Sequence, residues 1–392
     1  MKYKLTYKTT QKCCYMGYIM QAIAINFMPL LFVMFQNLYD ISYALIGTLV
    51  AVNFLTQLCV DVFSVFFLDR IGYRKSAVAS QFFCVAGFLL ITVLPELIHP
   101  YIGLCIGVIL YSIGAGLIEV VINPIVAGLP KECDANFVLT HSFYSWGQLV
   151  VVLLTTSALR IFGESSWKVI AWLWAILPLV NGLFFIKTPI SPPPPEVKRA
   201  RVSSLLKNKT FLAILILMIC AGGSELAMAQ WASTFAQNAL GIDKMLGDLF
   251  GPCLFAFFMG VGRVVYGLYE KKMNFRIYST VCCVMCVICY FAAALSKSPI
   301  ISLAGCSLCG FAISTLWPGT VELASKKIPD GSGAMYSAVA IFGDIGCSLA
   351  PFLTGIVASM NALGENSLRI GLLTNIIYPI TFILVIRKLM KK

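Results

Sequence analysis

Charge is scarce in this sequence: only 12% of its 392 residues are Asp, Glu, Lys or Arg, against about 25% in a soluble domain whose surface must face water. Histidine is rarer still, with His99 and His141 alone, and no Cys/His cluster has the spacing of a metal site. The 15 cysteines include Cys283–Cys286 and Cys306–Cys309 at C-x-x-C spacing, but both pairs fall inside apolar runs, where cysteine behaves as a small hydrophobe. Only one connection is long, which leaves no room for a catalytic domain outside the apolar runs. No metal, cofactor or enzymatic activity is expected on these grounds. A nucleic-acid partner is not expected either, because no basic domain stands apart from the apolar segments.

What the chain has instead is apolar length, with 59% hydrophobic residues. A helix rises about 1.5 Å per residue, so roughly 20 apolar residues cross a bilayer core of about 30 Å. Twelve such stretches are present, centred near Pro29, Thr56, Gly87, Tyr111, Val150, Ala175, Ser224, Phe257, Cys286, Ala312, Ile345 and Ile377. The first, from Tyr15 to Phe35, is too long for the core of a signal peptide and reads as a span. The sequence therefore predicts an all-α membrane protein with membrane lipids around it.

Basic residues near span ends are retained in the cytoplasm. Lys2, Lys4, Lys8 and Lys12 precede the first span, and Arg387, Lys388, Lys391 and Lys392 follow the last. Between them Lys/Arg favour alternate connections, at Arg70, Arg74 and Lys75, at Lys131, from Lys187 to Lys209, at Lys271, Lys272 and Arg276, and at Lys326 and Lys327. The opposite loops hold Arg160, Lys168, Lys244, Lys297 and Arg369. Both termini are thus expected in the cytoplasm of a cell-membrane protein. The net charge of +12 reflects this asymmetry and adds some affinity for anionic lipid.

Four consecutive prolines, Pro192 to Pro195, mark the long connection, and such a run favours extended polyproline geometry over helix. The domain reading is a six-helix bundle over residues 1–187, a basic Pro-rich cytoplasmic linker over 188–208, and a second six-helix bundle over 209–392. The halves resemble one another. Gly116 precedes Pro124 by eight residues in the fourth span, as Gly310 precedes Pro318 in the tenth. Further on, Gly147–Gln148 matches Gly343–Asp344. Repeats of this kind build many secondary transporters, with substrate near the midplane. One chain would hold its own cavity, so a monomer is expected.

An ionisable side chain inside a membrane is costly and therefore a functional candidate. Glu119 lies roughly 14 Å along its helix from the cytoplasmic end, Glu225 is similarly deep, and Asp344 is roughly 18 Å in. A carboxyl taken out of water favours its neutral form, so these three are candidates for proton coupling. Asp61 and Arg263 occupy near repeat-related positions and suggest a structural pair, while Glu322 is placed to meet Lys326 one turn on. Amides and an indole suit a hydroxylated solute, since amides bond hydroxyls both ways and a ring face stacks on sugar C–H groups. The candidates are Gln21, Asn26, Asn53, Gln57, Asn123, His141, Gln148, Gln230 and Trp231. Trp317, beside Pro318, reads as packing at a helix distortion.

The connection after the second span, FLDRIGYRKS, resembles the signature of the major facilitator superfamily between its second and third helices. Asp69, Arg70, Gly72, Arg74 and Lys75 fit it, without the customary upstream glycine, and the second-half counterpart from Glu270 to Arg276 is degenerate. The resemblance implies the major facilitator fold, in which these residues latch the cytoplasmic helix ends as a gate. GLIEVVINP, HSFYSWGQ, GGSELAMAQW and WPGTVELAS with GDIGCSLAPFLTG are similar to the fucose-permease group of proton-coupled sugar symporters. In that group the glutamate before the Asn-Pro pair is implicated in proton coupling, which points to Glu119. The group's first-helix aspartate is absent, since Ile25 and Asn26 precede Pro29.

The expectation is a carrier that imports a small polar solute, a sugar or sugar derivative, with protons. An exporter or exchanger of another metabolite or drug is the rival within the class. A membrane sensor on a transporter scaffold, or a scaffold without transport, are rivals outside it.

Overall fold

A bilayer core offers no water to backbone N–H and C=O groups, so a spanning segment must satisfy them internally, as a helix does. The computed structural model describes residues 5–41, 43–193, 202–242, 246–247, 249–328, 333–358 and 366–389. Among these residues twelve helical segments are long and apolar enough to span. Spans 1 to 6 are Tyr7–Leu31, Val52–Ile71, Tyr73–Leu97, Pro100–Ala127, Phe137–Phe162 and Glu164–Lys187. Spans 7 to 12 are Lys209–Ala232, Leu249–Lys272, Phe275–Leu295, Pro299–Lys327, Gly333–Ala358 and Ser367–Leu389. The protein is a multi-pass integral membrane protein.

The first span starts earlier than the expected Tyr15, and Pro29 lies near its end rather than at its centre. Pro29 sits in a 3₁₀ turn, Met28–Leu31, after the helix Tyr7–Asn26. A proline has no N–H to continue the ladder. A short helix, Phe32–Tyr39, follows and stops at Asp40, whose φ is +49°. The expected linker contains one helical turn, Val202–Leu205; its residues 194–201 lie outside the described residues.

The chain divides into two compact units. The first holds Met1–Asn136, Phe143–Arg199 and Asp330–Ser337; the second holds Phe137–Ser142, Ala200–Pro329 and Ala338–Lys392. The beginning of span 5 therefore groups with the second unit, and the beginning of span 11 with the first. Inside the first unit, span 4 packs on spans 1, 2 and 3, and span 6 on spans 1 and 3. Inside the second, span 10 packs on spans 7, 8 and 9, and span 12 on spans 7 and 9. Six spans later, each packing partner recurs.

The repeat-related glycines explain the close approaches. A side chain at Gly116 in span 4 would meet Val60 of span 2 at 3.2 Å, and one at Gly310 in span 10 would meet the Phe255 carbonyl of span 8 at 2.1 Å. Gly147 lies against Ile19 of span 1, while Gly343 receives the Trp317 ring, as packing at the span-10 distortion requires. The thiols of the two C-x-x-C pairs are buried, and Cys286 and Cys309 lie 3.8 Å apart. Among the described residues no His/Cys/Asp/Glu group is arranged to hold a metal ion.

Candidate functional site

Glutamate in mid-helix is stable in an apolar bundle only where neighbouring helices supply polar partners. In the first unit span 1 supplies them to span 4. The Gln21 amide donates to a Glu119 carboxylate oxygen at 2.5 Å. One turn along, the Asn123 amide donates to the Glu119 backbone carbonyl at 3.3 Å, and the Tyr18 hydroxyl donates to the Asn123 amide oxygen at 3.1 Å. Tyr18 and Gln21 are three residues apart, hence on one face of span 1. Glu119 and Asn123 are four apart on span 4. Tyr18, Gln21 and Asn123 are buried, whereas Glu119 is half-buried.

A second polar group lies between spans 2 and 4. Gln57 donates to the Asn53 amide oxygen at 3.0 Å, and the Ser112 hydroxyl donates to the same oxygen at 2.5 Å. Asn53, Gln57 and Ser112 are buried, as is Asp61 farther along the same stripe. Two further candidates stand apart from both groups in their hydrogen bonds or cover. Asn26 donates to its own helix, at the Ala22 carbonyl, at 2.8 Å. Gln148 is half-buried in span 5.

In the second unit the mid-span acid faces a cation. The Arg263 guanidinium of span 8 lies 3.4 Å from a Glu225 carboxylate oxygen of span 7, with both residues buried. Arg263 also donates to the Ser314 carbonyl at 2.9 Å and the His141 carbonyl at 3.0 Å. His141 is buried. Gly262, beside Arg263, lies against the Ser314 side chain, where a β-carbon would come within 2.4 Å of its hydroxyl. Farther along span 7, the Trp231 indole donates to the Pro351 carbonyl at 3.1 Å, and Gln230 is exposed. Asp344 is half-buried in span 11. At the span-10 end, Lys326 pairs with Glu322, as its four-residue spacing predicts, and with Glu270 at 3.2 Å.

The turn between spans 2 and 3 is built on Gly72, whose φ of +90° disfavours any side chain. Asp69 accepts the Tyr73 hydroxyl at 2.9 Å and the Gly333 backbone N–H at 3.0 Å. Gly333 opens span 11, and a carboxylate there satisfies an orphan donor and complements the helix dipole. Arg74 donates to the Phe185 and Ile186 carbonyls at 3.0 and 2.8 Å, the mirror arrangement at the end of span 6. Arg70 and Lys75 are exposed.

Of the sequence candidates, the structure thus joins Gln21, Glu119 and Asn123, and separately Asn53 and Gln57. Tyr18 and Ser112 complete these groups, while in the second unit Arg263 joins the candidate Glu225. Sequence reading passes over Tyr18, whose three-residue spacing from Gln21 is the available signal; Arg263 stands out as a lone arginine within a span.

The chain matches the Major Facilitator Superfamily over residues 14–351. No curated protein matches it by sequence. Among solved structures, the E. coli fucose:proton symporter FucP is similar with a TM-score of 0.80, at 15% identity over 98% of this chain and 100% of that one. The proton:xylose symporter XylE is similar with a TM-score of 0.78, at 12% identity over 97% of this chain and 94% of that one.

Proposed function

The chain belongs to the major facilitator superfamily, and on that premise we propose that it is a proton-coupled symporter of a small polar solute, a sugar or sugar derivative. It works as a monomer in the cell membrane with both termini in the cytoplasm. The observation that carries the reading is the Gln21–Glu119 hydrogen bond within the Tyr18–Asn123 cluster. An acid held by an amide can serve as a reversible proton site, because an amide turns over to donate to the carboxylate or to accept from the carboxylic acid. The surrounding hydroxyl and amides supply both donors and acceptors for a hydroxylated solute.

Glu119 is the coupling acid in this reading, with Glu225 and Asp344 as further candidates. Gln21, Asn123 and Tyr18 bind solute, and Asn53 with Gln57 hold the shape of span 2 against span 4. Asp69 and Arg74 form the gate by gripping helix ends. FucP and XylE, whose descriptions name sugars and protons, support the substrate class.

The test is to reconstitute purified protein in liposomes and record external pH while a panel of neutral sugars, polyols and sugar acids is added. Alkalinisation with one group of sugars is the expected result. Solute flux without proton movement would overturn symport in favour of exchange or export, and binding without flux would favour a sensor.

A further inference from the structure

Spans 2 and 3 are consecutive and joined by a tight turn, yet they hardly touch; each packs instead on span 4. Between them runs a furrow of about 580 Å³. Thr56, Cys59 and Phe63 form one wall, Ala79 and Phe83 the other, and Leu117 the floor. From Leu55 to Ile71 it extends roughly 24 Å along the helix, more than the roughly 15 Å depth of one leaflet.

The furrow has nothing to offer a polar solute. Its hydroxyls are committed within their own helices, Thr56 to the Val52 carbonyl at 2.7 Å and Ser76 to the Gly72 carbonyl at 3.2 Å. Its mouth is different. Ile71 and Ser76 line that end, and their chain neighbours Arg70 and Lys75 are exposed. The nearby Asp69 carboxylate is directed to Tyr73 and Gly333, and Arg74 to two carbonyls.

We propose that this furrow is a binding site for one anionic phospholipid, its acyl chain lying between spans 2 and 3 and its phosphate meeting Arg70 and Lys75. A lipid tail gains little by leaving other tails for an apolar groove. Selection therefore rests on the headgroup, drawn by basic side chains at the membrane surface. The site is independent of the solute cluster on spans 1 and 4.

Native mass spectrometry of the full chain released from mixed micelles of phosphatidylglycerol and phosphatidylcholine tests this directly. One phosphatidylglycerol should be retained in preference to phosphatidylcholine. Arg70→Gln with Lys75→Gln should lower that preference by roughly fivefold per charge removed. Cys59→Trp, which fills the furrow, should lower retention of both lipids while thermal unfolding confirms a folded chain. Equal retention of the two lipids by the unaltered protein, a preference unchanged by Arg70→Gln with Lys75→Gln, or retention unchanged by Cys59→Trp, would each overturn the proposal. So would a dimer whose contact, mapped by cross-linking at Phe63, covers the furrow.

Discussion

In the first unit a mid-span glutamate, Glu119, meets an amide; in the second, a mid-span glutamate on a span unrelated to it by the repeat, Glu225, meets a guanidinium. Gln21 and Glu119 form a neutral–acid contact at 2.5 Å, and the carboxyl is half-buried. Arg263 and Glu225 form an ion pair at 3.4 Å, with the arginine also holding two backbone carbonyls. The amide can turn to suit either state of its acid, whereas a guanidinium only donates and stays charged. The two arrangements therefore suit different work. The first suits a proton that comes and goes, and the second fixes spans 7, 8 and 10 in place.

The sharpest way to break this contrast is Arg263→Met. It leaves the Glu225 carboxylate without its guanidinium and strips donors from Ser314 and His141, so thermal unfolding in detergent should show a loss of about 3–5 kcal/mol. Adding Glu225→Leu should restore part of it, because a buried pair is replaceable by apolar side chains more readily than it is halved. In the first unit, Asn53→Ala strands Ser112 and Gln57 and should cost about 1–3 kcal/mol by the same assay. A smaller effect is expected for Glu119→Gln, an isosteric change that keeps a hydrogen-bonding group beside Gln21. Its stability should lie within about 1 kcal/mol of the unaltered protein. Gln230→Ala, on an exposed position, should move unfolding least, within about 0.5 kcal/mol.

The twelve spans were legible because hydropathy and length act along the chain, and each expected centre falls inside an observed span. The turn between spans 2 and 3 was legible for a similar reason, since Gly72 answers to local backbone geometry and Asp69 meets Tyr73 one turn on. Glu119 with Asn123 was legible as a four-residue spacing on one helix. Partners across helices were not. Nothing in one dimension chooses Gln21 for Glu119, or Glu225 for Arg263; both depend on how neighbouring spans are rotated. Asn26 shows the converse. Its amide satisfies a carbonyl of its own helix, and no composition rule separates such an amide from one turned toward a solute. Pro29 was placed at the centre of a span by hydropathy, but its missing N–H puts it at a turn.

The contrast between the two glutamates comes down to transport by Glu119→Gln in proteoliposomes, with the solute found in the pH assay. Accumulation driven by a pH gradient should vanish while exchange of labelled for unlabelled solute continues. Accumulation that persists in Glu119→Gln, and is lost instead in Glu225→Gln, would contradict the account.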